Sequence, residues 1–250
     1  MADDLVVTGG MAFTFKVVLE GALSLGANLI DIDAVRDVER LVALARARGT
    51  RIHVPSDHAI AESLDPDAPV GVATDADAAE AAAEALMRRA RGSGATAAAN
   101  AAAAANAAGG VGAEDGDADG VPLDAWLPLD VGPASRTRFS AVLARARTVL
   151  MVGTVGCFEW GPFSAGTVSV LADMVAATKR GALTVIAGGD AATAARLFVV
   201  GRRPAAEQVT FVSSGAGSSL VMLEGKMLHG AERLSPSPDV AAGASSLPSD

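Results

Sequence analysis

Cysteine occurs only once in the 250 residues, at Cys157, so no internal disulfide can form and cysteine usage indicates no compartment. No apolar run approaches the roughly 18 residues needed to cross a bilayer. The opening Met1-Ala2-Asp3-Asp4 has neither the basic nor the long apolar region of a secretory signal. The expectation is a soluble, cytoplasmic protein. Aromatic residues are only 4% of the chain, and the 50% hydrophobic content leans on alanine, so that second figure overstates the core. Basic charge is also short. A net charge of -9 and a pI near 4.8 argue against a nucleic-acid surface and against an anionic membrane face. They do not exclude a small anionic ligand, because backbone N–H groups at helix N-termini supply positive potential locally.

The usual catalytic and nucleotide signatures are missing as well. Gly225-Lys226 is followed by Met227 and lacks the upstream glycine of G-x-x-x-x-G-K-S/T, and no G-x-G-x-x-G follows a strand. There is no G-x-S-x-G elbow, no H-E-x-x-H and no C-x-x-C. His53, His58 and His229 are scattered and read as incidental, and Cys157, in an apolar strand-to-turn context, reads as a packing residue.

What is present is an alternation of strand-like and helix-like segments. Leu5-Val6-Val7 is a short apolar run, followed by a helix-like stretch from Met11. Residues 34–48 carry apolar positions at helical spacing, with Asp33 as a candidate N-cap and Gly49 as the stop. Strand-like runs follow at 51–55, 148–152, 183–187 and 208–212, and helix-like ones at 136–147, 164–179, 191–199 and 218–224. Such alternation implies right-handed crossovers and a parallel sheet with both faces covered. Residues 78–90 also suit a helix with Asp77 as its cap, but the Ala/Asn/Gly stretch that follows reads as a flexible low-complexity excursion over 76–119. The end of the chain, 233–250, reads as a disordered tail.

Four glycine clusters fall where a strand feeds a helix: Thr8-Gly9-Gly10, Gly153-Thr154-Val155-Gly156, Gly188-Gly189-Asp190 and Gly215-Ala216-Gly217. In an open α/β sheet these turns line the carboxyl edge of the strands, where ligands bind. Glycine lets the backbone approach an anion, and each following helix offers unpaired N–H groups. Four such turns on one edge favour a phosphate-bearing ligand over glycines that serve only tight turns. Asp190 fits two readings. It could hold a Mg2+ shared with phosphate oxygens, or it could be an N-cap carboxylate, and spacing alone does not choose.

The motifs also resemble, in order, those of the C-terminal half of phosphoglycerate kinase. Thr8-Gly9-Gly10-Met11-Ala12-Phe13-Thr14-Phe15 is similar to G-G-G-M-A-F/Y-T-F, and Val54-Pro55-Ser56-Asp57 resembles an L-P-x-D strand end. Asp124-Ala125-Trp126 with Leu129-Asp130-Val131-Gly132-Pro133 resembles D-G-W-M-G-L-D-x-G-P. Gly153 through Glu159 resembles N-G-P-M-G-V-F-E without its Asn and Pro, and Phe163-Ser164-Ala165-Gly166-Thr167 matches F-x-x-G-T. Ala187-Gly188-Gly189-Asp190 resembles G-G-G-D, and Val212 through Gly225 resembles V-S-T-G-G-G-A-S-L-E-L-L-E-G.

The resemblance implies an α/β, Rossmann-like three-layer sandwich with a mostly parallel sheet. Residues 1–75 and 120–232 would form one nucleotide-binding domain. It also implies roles. Gly9, Gly10 and Gly132 would wall an adenine pocket with Met11 nearby, and Glu159 would accept the ribose hydroxyls. Gly188, Gly189 and Ala191 would offer N–H groups to the phosphates of ATP or ADP, and Asp190 would hold Mg2+. Gly189, Gly215 and Gly217 would lie at the transferred phosphoryl group. The family reaction transfers a phosphoryl group between 1,3-bisphosphoglycerate and ADP in glycolysis, giving ATP and 3-phosphoglycerate.

Departures from the family's pattern limit this. The sequence has no counterpart of the family's N-terminal domain, with its basic patch, or of its G-G-x-K-V-x-D-K segment. Val152 replaces an Asn, Thr154 a Pro and Ala191 a Ser or Thr. Phosphoryl transfer depends on positioning and charge neutralisation, so the isolated chain is expected to be inactive. It would act with a separate N-terminal half, or persist as a non-catalytic Mg-nucleotide module or a truncated remnant. Ser245-Ser246-Leu247 is similar to a peroxisome-type tripeptide, but Pro248-Ser249-Asp250 follows it, and such signals are read at the extreme C-terminus.

Overall fold

A computed structural model describes residues 2–21, 29–61, 63, 70–74, 77, 127–228 and 230. The proposed helix at 78–90, the 76–119 excursion apart from Asp77, and the 233–250 tail lie outside the described residues.

The fold is α/β and Rossmann-like, and its strands divide into separate sheets. Strand β1 (Asp4–Val6) leads into helix α1 (Met11–Glu20), and α2 (Val35–Arg48) leads into β2 (Arg51–His53), which pairs parallel with β1. Val38, Val42 and Ala45 recur on one face of α2 and are buried, packing with Phe15 of α1 and with Val7 and Val54 after β1 and β2. Gly49 ends α2 as expected. It adopts φ 71°, and the Thr50 N–H reaches back to Ala45 O at 2.9 Å. Asp33 is not the cap. Ala34 is the N-cap, and its N–H donates to Asp31 Oδ1 at 3.1 Å, so the carboxylate three residues before it closes this turn.

The segment read as one strand through Pro55 stops at His53, and Asp57 begins a new strand instead of ending one. Strands β3 (Asp57–Ala61), β4 (Val70–Thr74) and β5 (Leu127–Val131) form an antiparallel sheet in the order β4-β3-β5, with a register shift between Ala59 and Ile60. Asp77 Oδ2 accepts from the N–H and hydroxyl of Thr74 at the end of β4.

Helix α3 (Pro133–Leu143) follows β5, with Pro133 in the first helical turn, where its missing N–H costs nothing. The second parallel sheet comprises β6 (Thr148–Val152), β7 (Leu183–Ala187) and β10 (Phe211–Ser213) in the order β10-β7-β6. Helix α4 (Ala165–Lys179) connects β6 to β7, and α5 (Gly189–Leu197) follows β7. A short antiparallel pair, β8 (Val199–Val200) and β9 (Arg203–Pro204), precedes β10, and α6 (Ala216–Leu223) follows it. The strand expected from Gln208 begins three residues later. Residues Ala205–Glu207 form a 3-10 turn, and the Gln208 amide donates to Val200 O and Arg203 O at 2.8 and 2.9 Å, which holds it in the turn.

The main core lies between this sheet and α3, α4 and α5. Met151 and Ile186 pack there against Val142, Leu171, Met174, Val175 and Ala194. No helix among the described residues is long and apolar enough to cross a membrane.

Candidate functional site

Strands β6, β7 and β10 are parallel neighbours, so the turns that leave them lie on one edge. Backbone bonds tie these turns together. Gly153 N–H donates to Ala187 O at 3.2 Å, and Gly188 N–H donates to Ser213 O at 3.0 Å. Gly188 sits at φ 115°, a conformation open to glycine, and its α-carbon faces Ala216 and the Gly153 backbone closely enough that a β-carbon would lie 3.5 Å from each. The structure thus brings together Gly153, Gly188, Gly189, Asp190, Gly215 and the start of α6.

Gly188 is the N-cap of α5, which removes the N-cap reading of Asp190. Asp190 lies in the first turn, exposed, with no hydrogen bond from its carboxylate to any described residue. The first α5 N–H to find a helical carbonyl is that of Ala192, bonded to Gly188 O at 2.9 Å. The preceding N–H groups have no acceptor within the helix. The side chain of Ala191 is fully buried in the main core. At α6, Gly215 is the N-cap, and its carbonyl accepts from Ser219 Oγ at 2.6 Å. Gly217 lines an open groove of about 640 Å³ along α6 with Ser218, Val221, Lys226, Met227 and Leu228.

The other expected residues are placed differently. Gly9 and Gly10 open α1 at the end of β1, and Gly9 adopts φ 64°. Both are exposed, as is Met11. Strand β1 belongs to the other parallel sheet, but its Asp4 accepts from Arg145, just before β6, at 3.0 Å. The two strands therefore start on the same side. Glu159 is exposed in the turn after the Gly153–Gly156 loop. That loop is fixed from below. Cys157 N–H donates to Leu129 O at 2.9 Å, Val155 N–H donates to Thr167 Oγ1 at 3.1 Å, and Phe158 is buried.

Gly132 is buried, and its α-carbon lies against the Asp57 carboxylate so closely that no β-carbon would fit. Asp57 reaches across from β3 to cap α3. It accepts from the N–H groups of Ala134 and Ser135 at 2.9 and 2.7 Å and from Ser135 Oγ at 2.5 Å. Burial pushes its pKa up, but these three donors outweigh burial and hold the carboxyl below its ordinary value.

Asp130 of β5 plays the same part for α4. Its Oδ2 accepts from Gly166 N–H at 2.7 Å, and its Oδ1 from its neighbour Val131 N–H at 2.8 Å. Gly156 and Gly166 both present bare α-carbons to this carboxylate. Here burial dominates the two N–H donors and pushes the carboxyl up to about 6. Sequence reading quoted both acids inside motifs but gave them no structural role.

Lys16 also went unnoticed. It is fully buried, donates to Pro55 O at 2.8 Å and lies 3.3 Å from His58 Nε2, while Phe13 stacks on the His58 ring at 5.0 Å. His58 is therefore part of a packed polar cluster, and His53 lies 2.7 Å from the Asp4 carboxylate. Among the described residues no group of three or more His, Cys, Asp or Glu side chains could hold a metal ion, so any cation at this edge would need ligand oxygens besides Asp190.

Fold and edge together define a Rossmann-like α/β protein with glycine-rich turns gathered at the carboxyl ends of parallel strands. A model of the family described as phosphoglycerate kinase matches residues 1–88 and 71–226, and the chain belongs to that family. It is 34% identical over 234 residues to a probable phosphoglycerate kinase of Caenorhabditis elegans, covering 94% of this chain and 44% of that protein. It is likewise 34% identical to phosphoglycerate kinase of Candida maltosa, covering 93% of this chain and 44% of the relative. The chain therefore spans less than half the length of these relatives. In fold it is similar to phosphoglycerate kinase from Coxiella burnetii, with a TM-score of 0.63 at 22% identity over 90% of this chain and 44% of that one. The Pyrococcus horikoshii enzyme gives a TM-score of 0.58 at 18% identity, covering 91% of this chain and 44% of that one.

Proposed function

We propose that the chain is the adenine-nucleotide-binding half of a phosphoglycerate kinase-type phosphotransferase. In this reading it binds Mg-ADP and Mg-ATP along its glycine edge and does not turn over alone. The observation that carries this is the convergence of the Gly153, Gly188 and Gly215 turns, with the first turn of α5 and an exposed Asp190 between them. Phosphates lie against the α5 N–H groups, which suit anions. Asp190 holds a Mg2+ that also takes phosphate oxygens, and the ion supplies the charge neutralisation a carboxylate beside phosphate requires. Gly215 and Gly217 face the phosphoryl group, Gly9, Gly10 and Met11 lie toward the adenine, and Glu159 accepts the ribose hydroxyls. Gly132 supports the α3 end of the site from beneath through Asp57. Residues 1–75 and 120–232 form this one domain, with 76–119 as an insertion. Transfer of the phosphoryl group from 1,3-bisphosphoglycerate to ADP calls for a half that binds the phosphoglycerate, which this chain does not span.

Calorimetric titration with Mg-ADP tests the reading. Asp190→Ala should weaken binding about 10- to 100-fold, the worth of a charge-assisted contact. The absence of saturable binding at millimolar nucleotide would leave only a remnant of the enzyme. The exposure of α6, which buries none of its residues, favours that second reading. Turnover by the isolated chain in a coupled kinase assay would overturn the predicted inactivity.

A further inference from the structure

The chain carries a net charge of -9, but its arginines gather at the amino ends of the parallel strands, the edge opposite the glycine turns. Arg51 opens β2, Arg145 and Arg147 precede β6, and Arg180 precedes β7. These turns adjoin one another. Arg51 and Arg145 both reach Asp4 at the start of β1, and Leu183 N–H at the start of β7 donates to Arg147 O at 2.9 Å. Arg180 donates to Leu143 O, just ahead of the Arg145 turn. Arg202 and Arg203 lie in the β8–β9 hairpin, between the C-terminal end of α5 and the start of β10, and extend the row on the same side. All six arginines are exposed. The acids of these turns are Asp3, Asp4 and Glu207, and Asp173 of α4 faces Arg180. Like charges so close repel one another, and on an acidic protein they make a local positive field.

We propose that this arginine rim docks an acidic, Asp- and Glu-rich segment of a partner polypeptide. The rim itself shows how it takes a carboxylate. Arg51 grips Asp4 through Nε and Nη2, both at 2.8 Å, and Arg145 adds a contact at 3.0 Å. The Arg51 contact above all holds the Asp4 carboxyl below its ordinary value. Two parallel N–H donors are the guanidinium's match for a carboxylate, and arginine loses little freedom in making it. Arg147, Arg202 and Arg203 have no side-chain hydrogen bond or ion pair among the described residues, so their forks are open to further carboxylates. A nucleic acid fits less well. None of these turns carries an aromatic side chain on which a base could stack, and a long phosphate backbone would run from the rim onto an otherwise acidic protein. Strands of about five residues set the rim roughly 17 Å from the glycine turns. Partner and nucleotide therefore bind at opposite edges, and the inference uses no residue of the nucleotide reading.

Fluorescence anisotropy of a labelled polyglutamate peptide, titrated with the full chain at low salt, tests the proposal. Saturable binding is expected, and salt that shortens the Debye length from about 10 to about 3 Å should abolish it. Arg147→Glu combined with Arg202→Glu should weaken binding about tenfold or more. Arg36→Glu combined with Arg40→Glu changes net charge equally on the N-terminal half of α2, at the opposite edge, and should weaken it about twofold or less. All four side chains are exposed, so circular dichroism of both variants should match the parent. Four results would overturn the proposal. They are no saturable binding at low salt, equal loss in the two double variants, and tighter binding of a single-stranded oligonucleotide of the same charge. The fourth is peptide binding that appears only once Glu114, Asp115, Asp117 and Asp119 are changed to amides, which would give the rim to the chain's own acidic tract.

Discussion

Gly166 and Gly217 occupy the same position, the second residue of a helix, in α4 and α6. Neither has a positive φ, so alanine is allowed by the backbone at both. Helix propensity alone favours alanine over glycine by up to about 1 kcal/mol, less in a first turn. At Gly217 nothing lies within 4 Å of the new methyl, so Gly217→Ala should leave stability unchanged or raise it by up to about 1 kcal/mol. At Gly166 the methyl meets three groups, two from β5 and one from the loop after β6: the Asp130 carboxylate, Val131 Cγ2 at 2.8 Å and Val155 Cγ1 at 2.9 Å. None can retreat easily, because Asp130 is held by Gly166 N–H itself, and Val131 and Val155 share a buried cluster with Phe139. Overpacking costs about 1 to 3 kcal/mol. Displacing Asp130 adds the loss of a cap, about 1 kcal/mol. Gly166→Ala should therefore destabilise by about 2 to 4 kcal/mol, the crowding outweighing the propensity gain. Urea unfolding followed by far-ultraviolet circular dichroism gives both values. If Gly166→Ala unfolds at the same urea concentration as the parent, glycine there is not a packing requirement and the reasoning fails.

The remaining expectations concern the same framework. The Asp130 carboxyl titrates near 6 in the folded chain against an ordinary 3.8. A carboxyl whose pKa rises on folding binds its proton more tightly in the folded state, so its contribution is complete below 3.8 and lost as pH rises through about 6. At 1.36 kcal/mol per unit this amounts to about 3 kcal/mol, and Asp130→Asn should flatten that part of the profile of urea midpoint against pH. Asp57→Ala strips three donors at the start of α3 of their acceptor and should cost about 2 to 4 kcal/mol, read as a lowered urea midpoint. Gly188→Ala forces a side chain onto φ 115° and should cost about 1 to 3 kcal/mol in thermal unfolding although its β-carbon meets only ordinary contacts. An unshifted transition would mean that the backbone there relaxes freely.

Local signals carried most of the fold. The apolar runs of β6 and β7 occur where their sequence places them, because short strands of a parallel sheet need little more than consecutive β-branched and aliphatic residues. Gly49 stopped α2 because a left-handed residue after a helix is a local requirement. What escaped was long-range. Asp57 and the helix it caps lie 77 residues apart in sequence, and no local pattern announces that pairing. The antiparallel β4-β3-β5 sheet was missed for the same reason, since its partners flank a stretch with no strand signal. Asp33 failed because a neighbouring Asp31 is equally able to accept from the turn, and propensity cannot rank two carboxylates two residues apart.

The same distinction reorganises the candidate site. Glycines in family-like motifs look alike in sequence, but the space beside their α-carbons sets two groups apart, with Gly188 and Gly215 between them in ordinary contact. Gly132, Gly156 and Gly166 press against the buried carboxylates of Asp57 and Asp130, where any β-carbon would collide. Their absence of a side chain lets an acid from the antiparallel sheet reach a helix N-terminus, so they are explained before any ligand is considered. Gly9, Gly10, Gly153, Gly189 and Gly217 have nothing within 4 Å of a β-carbon. Packing gives no reason for glycine at these positions, and for Gly10, Gly189 and Gly217 neither does φ. The open space leaves room for the nucleotide approach proposed above, although Gly161 and Gly230 are equally open, so space alone does not assign a ligand. Substituting alanine across the two sets separates them. The first set should lose stability and the second should lose nucleotide, and a second-set variant that binds Mg-ADP as the parent does would remove that position from the site.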